Sequence, residues 1–127
     1  EATVDAYRND SDSDSSSSGN NDLGLSSASL VFLFFHGNCG TRCGVFMRRP
    51  SPRVELCRAL ATHWCAHVVS FDYRGFADCE GSPTEAGLSL DARAALGFVR
   101  DKAPEARVIV YGQSLGTAVA AALAAAA

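Results

Sequence analysis

Three short apolar stretches punctuate the chain, at Ser29–Phe35, His67–Tyr73 and Arg107–Tyr111. Between and behind them, apolar residues recur at helical spacing instead. Val54, Leu56, Cys57, Leu60 and Ala61 predict a helix over 54–61. Leu90, Ala94, Ala95 and Phe98 share one face of a second helix that runs to about Lys102 and is stopped by Pro104. Its start is expected at Ser82-Pro83-Thr84-Glu85, a capping-box pattern with Ser82 as the cap and Pro83 at the first helical position. The alanine-rich stretch from Leu115 to Ala127 predicts a third, buried helix. The resulting order is β-α-β-α-β-α. Strands that are apolar throughout, rather than alternately, are expected to be covered on both faces. That predicts an α/β fold with a parallel sheet flanked by helices.

Residues 9–22 carry no apolar side chain, only Asn, Asp, Ser and one Gly. Such a tract cannot bury enough surface to offset its ordering entropy. The chain therefore divides into a flexible, acidic Ser/Asp-rich segment over residues 1–28 and a folded part over residues 29–127. Residues 1–8 are too few to assign, the tail of a preceding strand being one reading. A net charge of −3 without a basic stripe argues against a nucleic-acid partner. The longest apolar run, Leu30–Phe35, is far short of the roughly 20 residues that cross a bilayer, so no transmembrane segment is expected within the chain. Five cysteines form no C-x-x-C pair and no zinc spacing, and reduced thiols acting as small hydrophobes are the favoured reading. Neither a metal nor a cofactor is implied.

In a parallel α/β sheet, ligands bind outside the carboxyl ends of the strands. Three turns occupy such ends: His36-Gly37-Asn38, Asp72-Tyr73-Arg74-Gly75 and Gln113-Ser114-Leu115. The third lies within Gly112-Gln113-Ser114-Leu115-Gly116, a G-x-S-x-G motif between an expected strand and an expected helix. In that setting the serine is lifted out on a sharp turn, and the glycines two residues to either side leave room for close backbones. Ser114 is thus the candidate nucleophile. The Leu115 backbone N–H, at a helix start where amides are unpaired, is a candidate oxyanion donor. A second donor is expected from the loop after the first strand, with Asn38 N–H the best placed and Gly37 and Gly40 permitting close approach.

Taken together, Phe34-Phe35-His36-Gly37-Asn38-Cys39-Gly40-Thr41-Arg42, Arg53-Val54-Glu55-Leu56, Val68 to Phe76, Gly81 to Glu85, Leu90-Asp91-Ala92 and Tyr111 to Thr117 resemble the α/β-hydrolase superfamily. The blocks are most similar to its monoacylglycerol and lysophospholipid (lysophosphatidylserine) lipase branch, which is related to the Bem46-like and serine-aminopeptidase-like hydrolases. The resemblance implies the amino-terminal part of an α/β-hydrolase domain, lacking the carboxy-terminal strands. It implies a serine hydrolase that cleaves acyl esters of small lipids, with the full-length protein membrane-associated at the endoplasmic reticulum. By motif position it assigns Ser114, Leu115 and Asn38 to the site, with His36, Gly37, Gly112 and Gly116 in support. Three departures stand out. Ala77-Asp78-Cys79 replaces the usual Gly-Asp-Ser, Gln113 stands where histidine is common, and Val45 to Pro52 reads as a short insertion.

In this fold the acid and the histidine of the triad follow the serine along the chain. Only Leu, Gly, Thr, Ala and Val follow Ser114, so both are expected beyond Ala127 and this chain alone is expected to be inactive. Of the histidines present, His67 opens a strand at the far end of the sheet and His63 lies beside it, leaving His36 on the serine's side as support for the oxyanion loop. Asp72 and Arg74 are expected to pair across their turn. Two alternatives remain open: a serine peptidase of the same fold, and a non-catalytic α/β-hydrolase-like module or truncated gene product.

Overall fold

A computed structural model describes residues 4–7, 24–39, 45–46, 49–50 and 52–126. The acidic tract at 9–22, expected to be a flexible loop, lies outside them. The sheet is built around β2 (Leu30–Phe35), with β5 (His67–Phe71) on one side and β6 (Arg107–Gly112) on the other, all parallel. β1 (Val4–Tyr7) adds antiparallel to the outer edge of β5, giving the order β1-β5-β2-β6. A separate antiparallel pair joins β3 (Val45–Phe46) to β4 (Arg49–Pro50), within the stretch that reads as an insertion.

Alternation along the strands sorts the core into two layers. Phe32, Phe34 and Val68 face α1 (Pro52–Trp64), which contributes Cys57 and Ala61. Val31, Leu33, Phe35, Val69 and Phe71 face the other way. There α2 (Glu85–Lys102) buries Leu88, Ala92, Ala95 and Val99, while α3 (Leu115–Ala126) buries Val119, Ala120 and Leu123. Covering both faces excludes water from β2 and β5, each buried along almost its whole length. Burying a side chain of Val, Leu or Phe size contributes about 1.5–3 kcal/mol.

The expectation of burial on both faces fails for the third strand. β6 alternates between exposed and half-buried residues, with Ile109 and Tyr111 at 42% and 37% exposure. These two project on the α1 side, beside Phe32 and Phe34, and α1 covers β2 and β5 rather than β6. The outer edge of β6 has no strand partner among the described residues.

At the amino end, order starts earlier than the change in composition at Ser29 suggests. Val4–Tyr7 is held in register with Phe71–Val68, and Leu25, in a 3-10 turn, is fully buried in the α2/α3 layer. The pieces at 4–7 and 25–28 of the segment read as flexible are therefore structured. Pairing with an open strand edge and the burial of one leucine are tertiary effects that composition does not register. α2 also begins later than expected. Thr84, not Ser82, is its cap, with Thr84 Oγ1 accepting from Gly87 N at 3.1 Å, and Pro83 lies outside the helix.

Candidate functional site

The shared direction of β5, β2 and β6 brings their carboxyl ends to one side of the sheet, and the three turns singled out in the sequence follow there. Ser114 sits between β6 and α3 with φ at 53°, a left-handed conformation uncommon for a residue with a side chain. Backbone bonds pin it from both sides. Gln113 N–H donates to Phe35 O at 3.0 Å, Gly116 N–H to Gln113 O at 2.9 Å, and Thr117 N–H to Ser114 O at 2.9 Å. The flanking glycines are sterically obligatory. A Cβ on Gly112 would meet the Gly116 carbonyl oxygen, and one on Gly116 would meet the carbonyl of Phe35. Gly37 lies beside the serine, since a Cβ there would be 3.2 Å from Ser114 Cβ. Ser114 itself is exposed. Leu115, as the first residue of α3, has an N–H with no acceptor inside the helix.

The loop after β2 is held by its carbonyl groups. Tyr73 Oη donates to His36 O at 2.9 Å. Burial pushes the Tyr73 phenol well above its usual range, so it remains a hydroxyl donor at any ordinary pH. His36 Nδ1 lies 2.7 Å from Gly37 O; a carbonyl can only accept, so the proton is on that nitrogen. Because the Gly37–Asn38 peptide is trans, fixing the Gly37 carbonyl sends the Asn38 N–H the opposite way, away from the buried imidazole. His36 Nε2 is 3.2 Å from Asp72 Oδ1, at ion-pair distance but off the line of a good hydrogen bond, and both side chains are fully buried. The rings of Tyr73 and Phe76 pack on the imidazole at centroid distances of 4.4 and 5.2 Å.

A third carbonyl, that of Cys39, accepts from Arg53 Nη2. The same guanidinium donates through Nε to Gln113 Oε1 at 3.2 Å. Arg53, in the first turn of α1, is only 8% exposed. Below it, burial pushes the Cys57 thiol up to about 11, so that sulfur stays protonated near neutral pH.

Asp72 and Arg74 do not pair with each other. Asp72 faces His36, whereas Arg74 grips Asp91 on α2 through Nε and Nη2 at 2.8–3.1 Å, and its backbone N–H adds a bond to the same carboxylate at 2.9 Å. Successive strand residues point to opposite faces, and the chain turns after Tyr73, so neighbours in sequence part company. His63 ends α1 and His67 opens β5, both at the end of the sheet opposite Ser114. The structure thus gathers Ser114, Leu115, Asn38, His36, Gly37, Gly112 and Gly116 at one end of the sheet. It adds Arg53 and Tyr73, to which sequence reasoning gave no role at the site. One signal for Arg53 was available: a cation in the first turn of a helix opposes the macrodipole.

Comparisons with known proteins agree with this architecture. The sequence profile described as alpha/beta hydrolase fold matches residues 31–127. Lysophosphatidylserine lipase ABHD12 of Xenopus tropicalis is 41% identical over 96 residues, covering 76% of this chain and 23% of that protein. The bem46 protein of Schizosaccharomyces pombe is 35% identical over 95 residues, covering 73% of this chain and 29% of that protein. The chain therefore spans about a quarter of the length of these relatives. Among solved structures, an α/β serine hydrolase without a lid from Xanthomonas campestris superposes with a TM-score of 0.69 at 20% identity. That match covers 98% of this chain and 50% of that one, a likeness of fold. With three parallel strands between helices and a profile match running from β2 to residue 127, the chain belongs to the alpha/beta hydrolase fold family.

Proposed function

We propose that the full-length protein is a serine hydrolase of acyl esters of small lipids, of the monoacylglycerol or lysophospholipid kind, and that Ser114 is its nucleophile. The observation that carries this reading is the exposed Ser114 at φ 53°, with Gly37 beside it so near that a Cβ there would lie 3.2 Å from the Ser114 Cβ. That closeness brings an anchored loop and a helix start to the same serine, the two sources of amide donors that acyl transfer uses. The names of the relatives support the lipid substrate class.

In this mechanism a general base takes the Ser114 hydroxyl proton as Oγ attacks the ester carbonyl. The tetrahedral oxyanion is held by the Leu115 and Asn38 N–H groups. Collapse expels the alcohol, which takes up the proton, and leaves an acyl-serine that water cleaves to the free acid. His36 does not suit the role of base, because Nδ1 is committed to Gly37 O and Nε2 faces Asp72. The base and its acid partner are assigned to residues beyond Ala127, since an unassisted serine is a weak nucleophile.

The test is labelling of the full-length protein with a fluorophosphonate probe, alongside turnover of monoacylglycerol and lysophosphatidylserine. Expected is covalent labelling that Ser114→Ala abolishes, with hydrolysis lost in parallel, and weak labelling of residues 1–127 alone. Full activity in the Ser114→Ala protein overturns the reading.

A further inference from the structure

We infer that Arg53 is a positioning residue that locks the oxyanion loop to the serine turn. The inference rests on the reading of Ser114 as nucleophile. Two segments distant in sequence must hold their amides in fixed relation for an oxyanion site to work: 36–39 after β2 and 113–115 after β6. Among the described residues, Arg53 is the side chain that donates to both, to the Cys39 carbonyl on one side and to Gln113 Oε1 on the other. The planar guanidinium presents its N–H donors in a rigid fork, so the two acceptors are held at a fixed separation.

The placement is specific. Arg53 is almost fully buried, so its guanidinium is held by fixed protein partners rather than by water. It also lies in the first turn of α1, where the macrodipole disfavours a cation. Alternation explains how it reaches both targets. Gln113 follows Ile109 and Tyr111, which project on the α1 side of β6, and its Oε1 meets the Arg53 guanidinium there, while the loop after β2 brings the Cys39 carbonyl to the same guanidinium. The start of α1 therefore overhangs the carboxyl ends of β2 and β6. Tyr73 and His36 fix the carbonyls of residues 36 and 37, and Arg53 fixes that of residue 39. Asn38 is thus bracketed by anchored carbonyls.

The test uses the full-length protein and para-nitrophenyl butyrate, with Ser114→Ala defining zero. The oxyanion exists only after attack, so misplacing its donors lowers kcat with little effect on KM. For Arg53→Met the expected loss in kcat is about 10- to 100-fold with KM within about twofold, bounded by what removal of a whole oxyanion donor costs. Arg53→Lys keeps the charge but cannot span both acceptors, and is expected to recover only part of the loss. Gln113→Leu removes one tie and is expected to lower kcat by less than Arg53→Met. The double variant Arg53→Met/Gln113→Leu is expected to be no slower than Arg53→Met alone, as for groups acting as one unit. Should Arg53→Met fail to fold, Gln113→Leu and Arg53→Lys decide: reduced kcat at unchanged KM in both supports the inference, and wild-type kcat in both overturns it. A folded Arg53→Met protein with wild-type kcat also overturns it. Activity surviving in Ser114→Ala would instead remove the underlying reading of the site.

Discussion

Ala77 holds its backbone at φ 49° in the turn that follows Arg74 and Gly75, a left-handed conformation that glycine adopts more readily. The left-handed region costs an L-residue about 1–2 kcal/mol, and glycine's freer unfolded state takes back about 0.4–1 kcal/mol. Ala77 is exposed, so no packing opposes the change. Ala77→Gly is therefore expected to stabilise the protein by up to about 1 kcal/mol, read as a higher denaturant midpoint at constant m. A lower midpoint would show that the turn relaxes around alanine. The same scale shows what was legible in the residues. Ser114, Gly112 and Gly116 were readable because the pentapeptide is local and its crowding follows from its own backbone. Arg53 and Tyr73 were not, because each acts on a loop far away in sequence. The mistaken pairing of Asp72 with Arg74 has the same origin, since adjacency along the chain says nothing about which face a side chain leaves from.

At the scale of the element, α2 shows how a correct type came with a displaced boundary. Ser82 and Glu85 match the S-x-x-E spacing and Pro83 suits a first helical position, yet the helix is capped by Thr84. The pattern is degenerate here, with two hydroxyl residues two positions apart, and tertiary packing chooses between them. Arg74 reaching up to Asp91 ties α2 to the turn after β5, and Gly87 lies against the Arg74 side chain. That arrangement fixes where the first turn of the helix begins. Thr84→Ala is accordingly expected to destabilise by about 1 kcal/mol, whereas Ser82→Ala is expected to be nearly neutral. Equal effects in thermal melts would mean that the cap is shared. β6 is a strand of the right type whose burial was overestimated, because an uninterrupted Val-Ile-Val-Tyr run cannot reveal which face a helix covers.

For the whole molecule, the fold class was the most legible level, since β-α-β-α-β-α with apolar strands leaves few topologies other than a parallel sheet between helices. The order of strands was less so, because nothing in the periodicity says that β2 takes β5 on one side and β6 on the other. That order has a consequence in time. Pairing β6 with β2 joins Leu30 to Arg107 across most of the chain, a contact expected to form late because it closes a long loop. The close approach of Gly116 to the Phe35 carbonyl requires that pairing to exist already. Gly116→Ala is therefore expected to leave the refolding rate near wild type while speeding unfolding on the order of 10- to 100-fold. Stopped-flow chevrons would show this, and slowed refolding would instead place the serine turn in the nucleus. On this order of events a chain halted before β6 docks carries every residue of the motif and none of its geometry, so the left-handed serine turn is set only after that pairing.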